Sequence, residues 1–210
     1  MSDSYIHRPM VDFLADAAAD KPTPGGGAVA ALCGALAGTM ASMAANFTAG
    51  RKKFADVESD IRTFIQELDV ARSQLIVQMD ADIAGYAKVG AAYGMPRETA
   101  EQKTERRQAV QGALRAAMAP PSRTAELCVE VLAICADLLG KANPNLLSDV
   151  GVAAVIAEAA MRAAHINVRV NLALIKDESF VAAERRKLDE RRTVAGELAA
   201  RVAAAIDEKM

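Results

Sequence analysis

The segment Asp80-Ala-Asp82-Ile-Ala-Gly85-Tyr86 combines two carboxylates with an aromatic side chain at helical spacing. An aspartate that is shielded from water can act as a general acid or base. Residues two apart on a helix are separated by about 200° of rotation, so Asp80 and Asp82 face opposite sides and cannot form a paired dyad. Tyr86 shares a face with Asp82, and together with Gly85 they would line a cleft. On residue types alone, solvated surface carboxylates are the favoured interpretation.

A glycine-rich segment, Pro22-Thr-Pro24-Gly25-Gly26-Gly27-Ala28, precedes about twenty small and apolar residues. Three glycines in a row weaken any helix or strand, because glycine loses the most backbone freedom on folding. They do leave the N–H groups of a helix start bare, and such a start suits carboxylates and phosphates. Contact with a ligand and a plain turn before a loosely capped helix are equally supported.

Other polar residues fall at helix starts, at turns or inside an apolar helix. Asn167 and Asn171 are one turn apart among apolar residues, which indicates an interhelical network or a polar ligand, because buried amides need partners. The remaining candidates for binding an anionic or polar ligand are Arg51, Lys52, Lys53, Asn143, Asn145, Ser148 and Asp149. A solvated turn or helix capping would explain these residues equally well. His165 has no cysteine or second histidine near it in sequence, so no metal site is predicted.

The segments that carry these residues all have the apolar spacing that is typical of helices. A short amphipathic helix uses Val11, Phe13 and Leu14, and the longer helices are expected at about 26–46, 56–93, 98–118, 122–140, 149–175 and 177–209. Pro120-Pro121 is expected to stop one helix, while Ser122 and Ser148 are expected to cap the next ones. The helix at 56–93 is far longer than average, so it is expected to bend or to run along a dimer. With no strand pattern and no long linker, the prediction is one all-α domain over residues 1–210, a bundle of long helices.

Composition limits the classes of function. Alanine-rich helices pack closely, and self-association would bury more surface, so a dimer is expected. The formal net charge of −2 gives no electrostatic case for nucleic acid. Residues 27–45 are uncharged but mostly small, so a buried core helix is favoured over a membrane span. Cys33, Cys128 and Cys135 lack metal-ligand spacing and are expected to be buried, reduced thiols. The first eight residues lack the order of a secretory signal, so a cytoplasmic protein is expected.

Taken together, six motifs resemble the cyclodeaminase/cyclohydrolase family of folate enzymes. They occur in the family's order and spacing: Pro22-Thr-Pro-Gly-Gly-Gly27, Gly50-Arg-Lys-Lys-Phe54, Asp80-Ala-Asp82 with Tyr86, Tyr93-Gly-Met-Pro96, Ser148-Asp149 and Asn167-Val-Arg-Val-Asn171. The resemblance spans nearly the whole chain, from Phe13 to about Leu188. The family includes the C-terminal domain of formimidoyltransferase-cyclodeaminase and free-standing bacterial methenyltetrahydrofolate cyclohydrolases, and the chain has the length of the latter.

The resemblance implies a homodimer that binds a folate in a cleft between helices and hydrolyses 5,10-methenyltetrahydrofolate to 10-formyltetrahydrofolate. It makes Asp82 the general acid/base, which replaces the surface interpretation of that residue, and leaves Asp80 a structural role. Tyr86 would form a wall of the cleft. Arg51, Lys52 and Lys53 would hold the glutamate tail. The residues implied to hold the pterin, orient water or contact the substrate are Pro24, Gly25, Gly26, Gly27, Asn143, Asn145, Ser148, Asp149, Asn167 and Asn171. No metal ion or redox cofactor is implied.

One loop departs from the family pattern, which usually reads Gly-Asn before the second asparagine. Here Ala142 precedes Asn143, and Pro144 separates it from Asn145. Alanine adopts a positive φ less easily than glycine, so the shape of this loop is expected to differ. Two alternative functions stay open at this point: cyclodeaminase activity that releases ammonia from formimidoyltetrahydrofolate, and a non-catalytic folate-binding or assembly module.

Overall fold

Helical periodicity runs through nearly every segment of the sequence, and the computed structural model, which describes residues 4–209, is correspondingly all-helical. The α-helices are α1 (Met10–Ala18), α2 (Gly26–Asn46), α3 (Glu58–Tyr93), α4 (Ala100–Leu138), α5 (Leu147–Leu172) and α6 (Glu178–Asp207). Short 3-10 helices lie at Tyr5–His7, Lys52–Val57 and Pro144–Leu146. No strand occurs in the described part of the chain, which forms a single helical domain. The predicted boundaries, 1–210, include end residues outside that part.

The central element is α2, which packs against α3, α4 and α5. Twelve of its 21 residues are buried, and all twelve are alanine, glycine or serine. At Gly34 an added Cβ would lie 2.8 Å from Cys128 Sγ and 2.9 Å from Leu75 Cδ2, so only a small residue lets three helices meet there. By length and composition α2 could span a membrane, but most of its apolar stretch lies inside the bundle, as expected for a core helix.

The thiols behave as predicted for two of the three cysteines. Cys128 and Cys135 are buried along α4, and burial raises the pKa of each thiol to about 12. Cys33 is partly exposed on α2, where burial also raises its pKa. All three are free cysteines.

The prediction that Pro120-Pro121 stops a helix is wrong, because α4 runs continuously from residue 100 to residue 138. A proline inside a helix removes a hydrogen bond and costs about 3 kcal/mol or more. Here both prolines are buried, and α4 packs against α2, α3, α5 and α6, so tertiary contacts outweigh that local cost. Ser122 is therefore not an N-cap, and its hydroxyl instead accepts a hydrogen bond from Arg191 Nη1 at 3.1 Å.

The expected start of α5 is also shifted. Asn143 caps the 3-10 turn at Pro144–Leu146, and this turn continues directly into α5. Ser148 thus lies in the first turn of the helix and does not cap it. The last helix begins one residue later than predicted, at Glu178, because Asp177 caps α6 and accepts a hydrogen bond from the Phe180 N–H at 3.0 Å.

The amphipathic pattern predicted for α1 holds at one position. Phe13 is buried, where its ring meets that of Tyr5 edge to face at 5.4 Å. Val11 and Leu14 are exposed. The short helix therefore attaches to the bundle through Phe13, which packs with Ala28, Ala31 and Met79, and through the partly buried Ala17.

Candidate functional site

Asp82 lies on α3 beside the first turn of α2. Its carboxylate accepts a hydrogen bond from the Ala28 N–H, with Oδ2 3.0 Å from the nitrogen. The N-cap residue of α2, Gly25, has no side chain to cap the helix, so the Asp82 carboxylate satisfies one of its free N–H groups. Burial raises the pKa of the Asp82 carboxyl, and the Ala28 hydrogen bond opposes that shift. The group is therefore neither a free surface carboxylate nor a fully buried one.

The glycines of α2 allow this approach. An added Cβ at Gly27 would lie 2.1 Å from Asp82 Oδ1, a distance that no side chain could tolerate. At Gly26 an added Cβ would lie 3.3 Å from Asn167 Nδ2. The glycine motif thus has a definite structural use, because it lets side chains from α3 and α5 close on the start of α2. Pro24 is buried immediately before this turn.

Asn167 and Asn171 lie on one face of α5 and are partly buried, as their spacing predicts. Each amide donates to the carbonyl one turn earlier, Asn167 Nδ2 to Ala163 O at 3.0 Å and Asn171 Nδ2 to Asn167 O at 3.1 Å. These bonds orient the two side chains along α5. Of the two, Asn167 lies against the first turn of α2 at Gly26. We call this turn, which comprises Gly25, Gly26 and Gly27, the glycine turn.

Asp80 and Asp82 do face different sides of α3. Asp80 accepts hydrogen bonds from the Ser4 hydroxyl and from the Tyr5 N–H, the latter at 3.3 Å. The N-terminal segment is thereby attached to α3 next to the Asp82 site. This supports a structural role for Asp80, and no sequence signal pointed to its partners.

The cleft predicted from Asp82, Gly85 and Tyr86, with Gly85 as its gap, is not present in the structure. Gly85 is buried against α4, where an added Cβ would lie 3.2 Å from Ala117 Cα, so the gap is filled by a neighbouring helix. Tyr86 is 53% exposed one turn beyond Asp82. The tyrosine is near the carboxylate along the helix but does not enclose it within this protomer.

A second group of predicted residues lies at the other end of α2. The Asn143 N–H donates to the buried Thr48 hydroxyl at 2.8 Å, which ties the loop after α4 to the end of α2. Asn143 Oδ1 in turn accepts from the Asn145 N–H at 3.1 Å. The exposed basic residues follow the same end of α2 and, with the loop and the start of α5, make up the end group: Arg51, Lys52, Lys53, Asn143, Asn145, Ser148 and Asp149.

The departure at Ala142 does not strain the loop. The left-handed conformation falls on Gly140, at φ +79°, and no described non-glycine residue has a positive φ. The Ala142 N–H donates to Leu138 O at 2.9 Å, which continues the end of α4. Pro144 begins the 3-10 turn that Asn143 caps.

The predicted site residues therefore form two groups rather than one. The start group is Pro24, Gly25, Gly26, Gly27, Asp82, Tyr86, Asn167 and Asn171, and the end group lies at the opposite end of α2. A helix of 21 residues is about 30 Å long, so the two groups cannot contact one small molecule within a protomer. Two grooves of about 920 and 680 Å³ lie between α5 and α6, and of the predicted site residues only Ser148 lines either of them.

Comparison with known proteins shows the family of this chain. The family model described as formiminotransferase-cyclodeaminase matches residues 9–190. A methenyltetrahydrofolate cyclohydrolase from Methylorubrum extorquens is 34% identical over 198 residues, which cover 94% of this chain and 95% of that protein. The formimidoyltransferase-cyclodeaminase of Rattus norvegicus is 34% identical over 176 residues, and the match spans about a third of it (32%).

A comparison with solved structures points to the same family. A crystal structure of formiminotetrahydrofolate cyclodeaminase from Thermotoga maritima superposes with a TM-score of 0.87 at 29% identity. The match covers 97% of this chain and 98% of that one. Because the family model covers most of the sequence and the bacterial relative matches it almost end to end, the chain belongs to the formiminotransferase-cyclodeaminase family.

Proposed function

We propose that the protein hydrolyses 5,10-methenyltetrahydrofolate to 10-formyltetrahydrofolate, with Asp82 as general acid/base. The observation that carries the proposal is the half-buried Asp82 carboxylate, held at the start of α2 and with a raised pKa. A carboxyl group with this environment exchanges protons more readily near neutral pH than an exposed aspartate does. The family relationship and the M. extorquens relative support the choice of substrate.

The reaction requires one water molecule and three proton movements. In the substrate, one carbon bridges N5 and N10 as an amidinium cation. Water adds to this carbon while the Asp82 carboxylate takes one of its protons. The carbon–N5 bond then breaks, N5 receives a proton from the carboxyl group, and the remaining hydroxyl proton is released as the formyl C=O forms on N10. An ionised Asp82 also stabilises the bound cation, and no metal ion or redox cofactor is proposed.

Other residues of the start group would position the substrate. Asn167 meets the glycine turn at Gly26, and its amide is held by its bond to Ala163, so its free oxygen is suited to a pterin donor or to the attacking water. Tyr86, exposed one turn after Asp82, offers an aromatic surface. In the end group, Arg51, Lys52 and Lys53 have no carboxylate within 4.0 Å among residues 4–209, which leaves them available for glutamate carboxylates.

We also propose that the protein is a homodimer in which a second copy brings its end group to the start group of the first. The open face of α2 carries apolar residues at alternating intervals of three and four, the spacing of a helix–helix seam: Val29, Cys33, Leu36, Met40, Met43 and Phe47. A second α2 packed on this stripe in antiparallel orientation places its end group about 30 Å along, beside Asp82 of the first copy. The folate would then lie between two protomers.

Mixing two inactive variants tests the shared site. The variants are Asp82→Asn and the triple change Arg51→Ala, Lys52→Ala, Lys53→Ala, assayed at substrate concentrations below KM. In a heterodimer one site carries both defects and the other carries none, so random exchange restores about a quarter of the wild-type activity. If all these residues serve one protomer, the mixture shows no more activity than the average of its parents.

The cyclodeaminase reaction is the second candidate, because the structural relative at TM-score 0.87 bears that name. A single pair of assays separates the two. Hydrolase activity removes the methenyl absorbance and yields a product formylated at N10, whereas cyclodeaminase activity releases ammonia from 5-formimidoyltetrahydrofolate. We expect the first reaction to be the faster. A protein that binds a formylated folate in a thermal-shift assay but catalyses neither reaction would be a non-catalytic folate-binding module.

A further inference from the structure

The groove of about 920 Å³ between α5 and α6 lies apart from the residues proposed for the folate. Its α5 residues, between Arg162 and Ala173, are rotated by about 140–300° from Asn167 about the helix axis. It therefore opens on the opposite face of α5 from the amides that meet the glycine turn. Neither the start group nor the end group contributes to it.

Four arginines line this groove, two from each helix: Arg162, Arg169, Arg185 and Arg192. The two arginines of each helix are seven residues apart, which is about 10 Å along a helix. The helices run antiparallel, since residues 162–173 face 185–192 in this groove while 148–158 face 196–207 in the smaller one. In this register Arg162 lies across from Arg192, and Arg169 lies across from Arg185. Each end of the groove thus has a pair of guanidinium groups.

Two of the four arginines have no ion-pair partner within the described part of the protomer. Among residues 4–209, Arg169 and Arg185 have no carboxylate within 4.0 Å. Arg192 has Asp189 at 3.5 Å, the one acidic residue that lines the groove, and Arg162 has Glu158 at 3.6 Å. Guanidinium groups bind carboxylates and phosphates in a bidentate manner. Arg169 and Arg185 are free to do so, whereas Arg162 and Arg192 would exchange their present carboxylate partners, which are held in weak, solvent-exposed ion pairs.

Between the two arginine pairs, Ile166 and Leu188 form an apolar part of the groove, beside the polar side chains of Asp189 and His165. Leu188 is buried beneath the groove and Ile166 is exposed within it, while Val170 and Leu172 line its end beyond Arg169. His165 is only 8% exposed, and its Nε2 atom has no hydrogen-bond partner. A buried imidazole nitrogen without a partner is uncommon, and this ring lies among the residues that line the groove, so it can serve as a probe of what binds there.

We propose that this groove binds a small organic molecule with an anionic group at each end, about 10 Å apart, and an apolar middle. Each arginine pair holds one carboxylate or phosphate, and the apolar part of the ligand lies over Leu188. A second copy of this chain is a poor occupant, because a two-fold contact would face arginines with arginines, and like charges across an interface cost several kcal/mol. The proposal is independent of the folate reaction.

The chain contains only two histidines, His7 and His165, which provide an internal probe and its control. The ring proton signals of both are followed by NMR while decanedioate, octane-1,8-diyl bisphosphate or the monoanion octanoate is added at constant ionic strength. The variant His7→Gln assigns the two signals. We expect a saturable shift at His165 with one or both dianions, a much weaker effect with octanoate, and no change at His7. The dianion that binds more tightly identifies the carboxylate or the phosphate as the natural end group.

Two matched variants test the arginines. Arg185→Ala removes a groove guanidinium, and Arg201→Ala removes the same charge from an exposed position elsewhere on α6. Arg185→Ala should weaken dianion binding about tenfold, while Arg201→Ala should leave it unchanged. Circular dichroism checks that both variants are folded. Equal shifts at His7 and His165, equal affinity for octanoate, or equal binding by the two variants would overturn the proposal.

Discussion

The Asp82 carboxylate of α3 accepts a hydrogen bond from the Ala28 N–H of α2 at 3.0 Å, across 54 positions of sequence. This bond replaces the side-chain cap that α2 lacks, and it fixes the carboxylate beside the glycine turn. Capping of this kind lowers the pKa of an acid, whereas burial raises it, and at Asp82 burial is the larger effect. The same group thus caps a helix start and has a raised proton affinity.

Asp82→Asn separates these two roles. An asparagine oxygen can still accept from the Ala28 N–H, but the amide cannot take a proton from water, so turnover should fall about a hundredfold or more. Since the folded state raises the pKa of Asp82, the charged form is disfavoured by folding, and the variant should be as stable as the parent or more stable above the folded-state pKa. Steady-state kinetics and thermal unfolding at neutral pH measure both effects. A variant that retains parental turnover would remove Asp82 from the mechanism.

Much of the fold could be predicted from periodicity and capping. The bounds of α2 are as predicted, α3 begins two residues later than predicted, and α6 begins one residue later than predicted. The error at Pro120-Pro121 has a tertiary cause, because the packing that keeps α4 continuous comes from helices distant in sequence. No local pattern reports how strongly the rest of the chain supports a proline.

The site was predictable in part. The opposite faces of Asp80 and Asp82 follow from helical geometry, and the contact of Gly27 with Asp82 gives the glycine motif a physical reason. What helical spacing could not reveal is that Arg51, Lys52 and Lys53 lie at the far end of α2 from Asp82. The order of motifs along a chain does not say which ends of the helices meet. The sequence also did not indicate the groove between α5 and α6 that is lined by four arginines. These arginines come from two helices, and their spacing within each helix is typical of ordinary surface charge.

The buried His165 should make the protein sensitive to mild acid. Burial lowers its pKa to about 4, and the charges of Arg191 and Arg192 act in the same direction while Asp189 opposes them. The unfolded chain binds this proton near pH 6.5, so the stabilising contribution is complete above that pH and is lost as the pH falls from 6.5 towards 4. The free energy of unfolding should decline by up to about 1.4 kcal/mol per pH unit in this window.

The control for this effect is His165→Leu, which keeps an apolar side chain of similar size and removes the titrating group. Urea unfolding of both proteins at several pH values gives the difference directly. The free energy of unfolding should fall less steeply between pH 6.5 and pH 4 for the variant, and the difference in slope should correspond to one bound proton. Parallel curves for the two proteins would show that His165 is not protected from protonation in the folded state.

The three cysteines should differ in reactivity towards iodoacetamide at pH 8. Only the thiolate reacts, and the pKa of Cys128 and of Cys135 lies near 12, so both should stay unmodified in the folded protein. Cys33 is partly exposed on the open face of α2 and should be modified first, and more slowly if a second copy covers that face. Mass spectrometry counts the adducts, and denatured protein should give three. Early labelling of Cys128 would contradict the packing of α4 against Gly34 of α2.

The glycine turn gives the sharpest test of the geometry at Asp82. In Gly27→Ala the new methyl group would lie 2.1 Å from Asp82 Oδ1, so the carboxylate must move away from the Ala28 N–H. Turnover should fall by a factor similar to that of Asp82→Asn, and stability should fall because the start of α2 loses its cap. Gly90→Ala is the matched control, since Gly90 lies exposed on α3 and its added Cβ meets nothing within 4 Å. That change should retain activity and raise stability by about 0.5–1 kcal/mol through helix propensity. If Gly27→Ala is as active as Gly90→Ala, the position of the carboxylate beside the glycine turn has no part in the reaction.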